Sequence, residues 1–127
     1  MVLMTYSDRH MQIAKAMSFQ STFRVRIGAV AIRKKNIISV GHNKIKTHPL
    51  ISRNNYRKLH AEVSCIVGGD RDQLRGATMY VYRQDLNGEL AMCKPCLMCQ
   101  AILKEAGIKE VFYVDPSEKD SIGRMSL

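Results

Sequence analysis

Two short segments of this 127-residue chain carry side chains that could do chemistry: His60-Ala61-Glu62 and Pro95-Cys96-Leu97-Met98-Cys99. Cys96 and Cys99 stand three residues apart at the predicted start of a helix, so their sulfurs share a face. A helix N-terminus lowers the pKa of a thiol placed there. Two thiolates and the His60 imidazole make three ligands for a tetrahedral Zn²⁺. The fourth position is left for water, which is the pattern of a catalytic site. Such an ion brings the pKa of its water down to ~7. The released proton needs an acceptor, and Glu62, two residues beyond His60, is the obvious one.

Competing readings stand beside each of these. Cys93 is one C-x-x-C step before Cys96. As a fourth ligand it would close the shell and make the zinc structural. Spacing alone is ambiguous here, although Cys93 precedes Pro95 and so falls in a loop, off the helical face. Glu62 taken alone is an ordinary first-turn glutamate stabilised by the helix dipole; beside a metal ligand it reads as a proton carrier. Cys65 reads as a small core residue and Met11, Met17, Met79 and Met98 as core filler. His10 and His42 read as structural or surface residues.

The elements that must position these groups can be read from periodicity and punctuation. Ser7 can cap a first helix, in which His10, Ile13, Ala14 and Met17 form one face ending near Phe19. Arg24–Arg33 and Ile37–Val40 read as a strand hairpin turned at Lys34-Lys35-Asn36. Gly41–Tyr56 reads as a long loop, and loops of that length are often functional. His60–Val67 is a short apolar helix stopped by Gly68-Gly69. Ala77–Tyr82 is a strand. Asp85–Lys94 is a second loop, turning at Asn87-Gly88. A helix runs from Pro95 to Ala106, with Gly107 at its C′ position. Val111–Val114 is the last strand, followed by a weakly patterned tail. Alternating helices and strands after the first hairpin imply crossovers and partly parallel pairing. The expected fold is α/β: a three-layer α/β/α sandwich around a mixed sheet, in one domain spanning residues 1–127.

The motif pair H-x-E and P-C-x-x-C resembles the zinc-dependent deaminases of the cytidine/deoxycytidylate deaminase superfamily. Lys104-Glu105-Ala106-Gly107-Ile108-Lys109 followed by Val111-Phe112-Tyr113 looks like the helix–Gly-Ile–strand ending of that family. Ile27-Gly28-Ala29-Val30 and Ser39-Val40-Gly41-His42-Asn43 look like its first hairpin. The resemblance covers Arg24 to Val114. It implies a cytidine deaminase-like fold, zinc on His60, Cys96 and Cys99, and hydrolytic deamination at C4 of cytosine or C6 of adenine. Glu62 would move the protons and ammonia would leave. It further implies that the Ala61 N–H faces the pyrimidine carbonyl and that Asn43 contacts sugar or base. By analogy only, a homo-oligomer is implied. The sequence departs from the family in two places. It lacks an extra Cys/His cluster before His60, and only 13 residues follow Val114. That tail leaves little room for a last helix and fifth strand.

Charge bears on the substrate. The net charge is +9, and every acidic residue except Asp8 lies after Ala61. The basic first half suits a phosphate-bearing partner, on a nucleotide or a nucleic acid, as well as a merely solvated face. Within the long loop, Lys46, His48, Arg53 and Arg57 are candidates for a phosphate or sugar clamp. The compact chain and the single aromatic of that loop, Tyr56, favour a free cytosine nucleotide or nucleoside, with dCMP converted to dUMP. The alternatives are a nucleic-acid base deaminase, acting on tRNA adenosine or single-stranded DNA cytosine, and a non-catalytic zinc module. An intact Glu62 argues against the last. No apolar run approaches the ~20 residues of a membrane span. With no basic, apolar leader at the N-terminus, the expected location is cytoplasmic.

Overall fold

The run Gly28-Ala29-Val30-Ala31-Ile32 is buried without interruption, which a strand shows only when both faces are covered. The computed structural model, which describes residues 6–45 and 58–127, supplies both covers. Its first elements are α1 (Tyr6–Ser18), β1 (Arg26–Arg33) and β2 (Asn36–His42), then β3 (Lys44–Ile45) and β4 (Lys58–Leu59). α2 (Ala61–Val67), α3 (Arg71–Leu74), β5 (Thr78–Gln84), α4 (Leu97–Ala106), β6 (Glu110–Val114) and β7 (Ile122–Ser126) complete the chain.

Five strands form one sheet in the order β2-β1-β5-β6-β7. β5 and β6 are parallel, joined by the α4 crossover, and the other pairs are antiparallel. This is the mixed sheet between helical layers that the sequence predicts. β1 and β2 meet in a tight turn with Lys34 and Lys35 at φ 50° and 67°, the left-handed pair that suits strand twist.

Two glycines set the helix–sheet distances. Gly28 faces His42 across the hairpin and Ala29 faces Gly41, so Gly28 and Gly41 point to opposite faces. A Cβ on Gly28 would collide with the Ala14 carbonyl and the Ser18 amide of α1. One on Gly41 would collide with the Cys65 amide of α2 and lie 2.7 Å from the Ala61 oxygen. Both helices therefore rest backbone-on-backbone against the sheet. α4 lies beside α2.

The differences from the sequence reading are local. The tail does form a fifth strand, β7, paired along β6. Its Ile122-Gly123-Arg124-Met125-Ser126 lacks a β-branched run, and the pairing makes it a strand. α4 begins at Leu97, so Pro95 precedes the helix by two residues. The reason is that the Cys96 side chain takes the cap position and accepts the Cys99 N–H at 3.5 Å. α1 begins at Tyr6, so Ser7 lies within the helix. α3 was not foreseen; Asp70 caps it, accepting the Asp72 and Gln73 N–H groups. The reading of Gly41–Tyr56 as loop misses the end of β2 and all of β3. Among the described residues no helix is long and apolar enough to cross a membrane.

Candidate metal centre

β3 and β4 pair with Lys44 opposite Leu59, and this short ladder delivers His60 to the head of α2. His60 is the N-cap of α2, extended at φ −68° and ψ 153°, with no side-chain hydrogen bond to the helix. Its ring faces the head of α4. His60 Nδ1 lies 3.3 Å from Cys99 Sγ and 3.8 Å from Cys96 Sγ. The three ligand atoms lie within 4.8 Å of one another. Cys99 is fully buried, and it forms a small apolar cluster with Leu59 and Val63, flanked by Met98 and Ile102. That cluster is the floor of the centre. One of its members precedes His60 and another follows Glu62, so packing alone brings α2 and α4 together.

One nitrogen and two sulfurs at this spacing fit Zn²⁺, and among the described residues no fourth ligand joins them. Cys93 is outside the group. Its buried thiol accepts the Val114 N–H and donates to the Val81 carbonyl, each at 3.3 Å. The closed four-ligand alternative therefore has no support in the geometry.

Glu62 sits in the first turn of α2 and is buried at 5 % exposure. Burial pushes its carboxyl up to about 7, partly offset by its own backbone N–H. The thiol of Cys99 is pushed upward by burial first, and by the charges of Glu62 and Cys96. At a buried site desolvation disfavours the thiolate. A coordinated cation reverses that balance, because a ligating thiol is deprotonated.

Ala61 is buried as the first residue of α2. Its N–H lies in the turn that has no intrahelical acceptor, so it is available to an acceptor such as a carbonyl. Asn43 is buried at the end of β2. Its Nδ2 donates to the Val25 carbonyl at 2.6 Å and its Oδ1 accepts the Ile27 N–H at 3.0 Å. The amide thereby ties β2 to the start of β1; among the described residues these two bonds leave one donor and one lone pair. Lys46, His48, Arg53 and Arg57 lie outside the described residues. Arg24 and Arg26, exposed on either side of Val25, were not singled out in the sequence. They stand at the end of the sheet where α2 begins; only the Asn43 contacts to Val25 and Ile27 reveal it. Cys65 is a core residue as read, and it also bonds. The Ser39 hydroxyl donates to its carbonyl at 2.7 Å and lies 3.1 Å from its sulfur.

Comparison with known proteins follows the same lines. The family model for the cytidine and deoxycytidylate deaminase zinc-binding region matches residues 4–115. A dCMP deaminase of the cyanophage S-TIM5, in complex with dCMP and dUMP, superposes with a TM-score of 0.61 at 21 % identity. That match covers 87 % of this chain and 83 % of the other. A cytidine deaminase of Burkholderia pseudomallei gives 0.65 at 17 % identity, covering 97 % and 93 %. A diaminohydroxyphosphoribosylaminopyrimidine deaminase/5-amino-6-(5-phosphoribosylamino)uracil reductase of Thermotoga maritima gives 0.59 at 26 % identity, covering 86 % of this chain and 29 % of that one. No curated protein matches the sequence.

Proposed function

We propose a substrate and a division of labour for a chain that belongs to the cytidine and deoxycytidylate deaminase family and is a zinc-dependent hydrolytic deaminase. The substrate is a free cytosine nucleotide, dCMP giving dUMP and ammonia, and residues 1–127 act as one deaminase domain. The observation that carries the reading is the convergence of His60 Nδ1, Cys96 Sγ and Cys99 Sγ, with a buried glutamate two residues beyond His60.

His60, Cys96 and Cys99 would hold the ion. When bound, Zn²⁺ supplies the Lewis acidity that activates water at neutral pH. Glu62 would take a proton from the attacking water and deliver it to N3 of the ring as the oxygen adds to C4. The same carboxyl then moves the proton of the new C4 hydroxyl to the exocyclic amine; the C4 carbonyl forms, the C4–N bond breaks and ammonia leaves. A carboxyl suits this shuttle because it can both accept and donate a proton. The Ala61 N–H holds the pyrimidine carbonyl, and the remaining polar capacity of Asn43 is directed to the sugar or base. Lys46, His48, Arg53 and Arg57 hold the phosphate.

The family membership and the dCMP and dUMP bound by the cyanophage relative support this substrate. A product screen tests it. Purified protein is offered cytidine, deoxycytidine, their phosphates, single-stranded DNA and tRNA. Turnover fastest on dCMP is the expected result, and turnover confined to a polymer would exclude it.

A further inference from the structure

The catalytic reading leaves unused one cysteine of the trio Cys93, Cys96 and Cys99, although the structure gives its thiol a definite place. Residues 91–96 have no regular structure, yet they present Cys96 to the metal centre. An irregular segment is placed only by the bonds that tie it down. Here the Ala91 N–H donates to the Arg83 carbonyl at 3.0 Å, and the Cys93 N–H donates to the Val114 carbonyl at 3.1 Å. Arg83 Nη1 donates to the Met92 carbonyl at 3.2 Å. On the far side, Gln100 Nε2 of α4 donates to the Pro95 carbonyl at 2.8 Å.

The Cys93 thiol does more than fill space. The parallel pairing of β5 and β6 ends at Val81 and Tyr113. Just past it, the sulfur accepts the Val114 N–H and donates to the Val81 carbonyl. It therefore bonds both strands at the point where their own pairing stops. Only a group that both donates and accepts can do this, so the thiol must keep its proton. Burial pushes Cys93 up to about 12, which keeps the proton in place at neutrality.

We propose that Cys93 is a positioning residue for the metal centre: its thiol, set between Val81 and Val114, fixes the segment that delivers Cys96. The inference rests on the assignment of Cys96 as a ligand. It predicts more than an ordinary core cysteine would. A hydroxyl can replace the thiol as donor and acceptor; a methyl cannot.

The test uses the full chain, with zinc affinity measured by chelator competition and the thiolate-to-metal absorption recorded after loading with Co²⁺. Cys93→Ala should keep the full thiolate absorption per cobalt and bind zinc roughly 10- to 100-fold more weakly, the usual effect of losing a group that orients a ligand. Cys93→Ser should bind zinc near the wild-type level. Wild-type zinc affinity in Cys93→Ala would overturn the proposal, and so would a loss of thiolate absorption, which marks a ligand. Should Cys93→Ala not fold, a folded Cys93→Ser with zinc weakened by about tenfold or more would overturn it equally. Cys96→Ala is measured beside them. Full thiolate absorption in that variant would refute the ligand assignment itself, whatever Cys93 does.

Discussion

Gly41 of β2 lies so close to the backbone of α2 that a Cβ on it would overlap the Cys65 amide nitrogen. The colliding atoms are main chain and cannot swing away. Overpacking of this kind costs about 1–3 kcal/mol. Gly41→Ala should therefore lower the unfolding temperature and also shift α2, which carries His60 and Glu62. Gly28→Ala makes a still closer collision, but with α1 on the opposite face. We expect both variants to be destabilised and only Gly41→Ala to lose turnover per folded molecule. Thermal unfolding together with kcat separates them; equal kcat losses would show that α2 is not placed by this contact.

Glu62 is buried beside the metal group and is not part of it. Glu62→Gln preserves size and removes the titratable carboxyl. The variant should retain zinc and its unfolding temperature while losing at least ~10²-fold in kcat, the low end for a positioned acid–base group. Near-normal turnover would remove Glu62 from the proton path.

His10 gives a pH dependence whose sign is fixed. Its ring is buried under α1, 4.9 Å from the Tyr80 ring, which stacks in turn on Phe112. Burial, and then the charge of Arg9, lower its pKa below the usual 6.5. Below that value the unfolded chain takes up a proton that the folded chain refuses, so stability falls as pH drops from neutrality toward the folded-state pKa. His10→Phe keeps an aromatic ring against Tyr80 and cannot titrate. Unfolding temperatures at pH 7 and pH 5 should fall further in the wild type than in His10→Phe. Parallel falls in both proteins would show that His10 is not the group responsible.

How much of this was legible in the sequence depends on where the information is local. His60, Glu62, Cys96 and Cys99 could be found because their residue types are rare and each pair opens a helix. Gly107 could be placed because the end of α4 needs a left-handed residue, and its φ is 91°. β7 could not be foreseen, because its strand character comes from pairing with β6. Gly123 is part of that fit: the Tyr113 ring lies where its side chain would be. The role of Asn43 as a tie between β1 and β2 was equally hidden, since its partners Val25 and Ile27 are distant in sequence. Cys93 was ambiguous for the same reason. Spacing relates it to Cys96, whereas its bonds run to Val81 and Val114.

Salt discriminates between the two kinds of phosphate-bearing substrate. Up to Ala61 the chain carries a single acid, Asp8, so its first half attracts any polyanion. A polymer would engage many cations at once and release many counterions. With six to ten phosphate contacts its affinity would fall ~10³- to 10⁵-fold between 50 and 200 mM salt. A free nucleotide engages one or a few cations and loses little over the same range. We expect the gentle dependence, measured as KM for dCMP against salt. Replacing Lys46, His48, Arg53 or Arg57 singly by Ala should raise KM for dCMP more than KM for deoxycytidine, because only the former carries the phosphate. A steep salt dependence on DNA or tRNA, with no turnover of any nucleoside or nucleotide, would instead identify a nucleic-acid deaminase whose basic half tracks the strand.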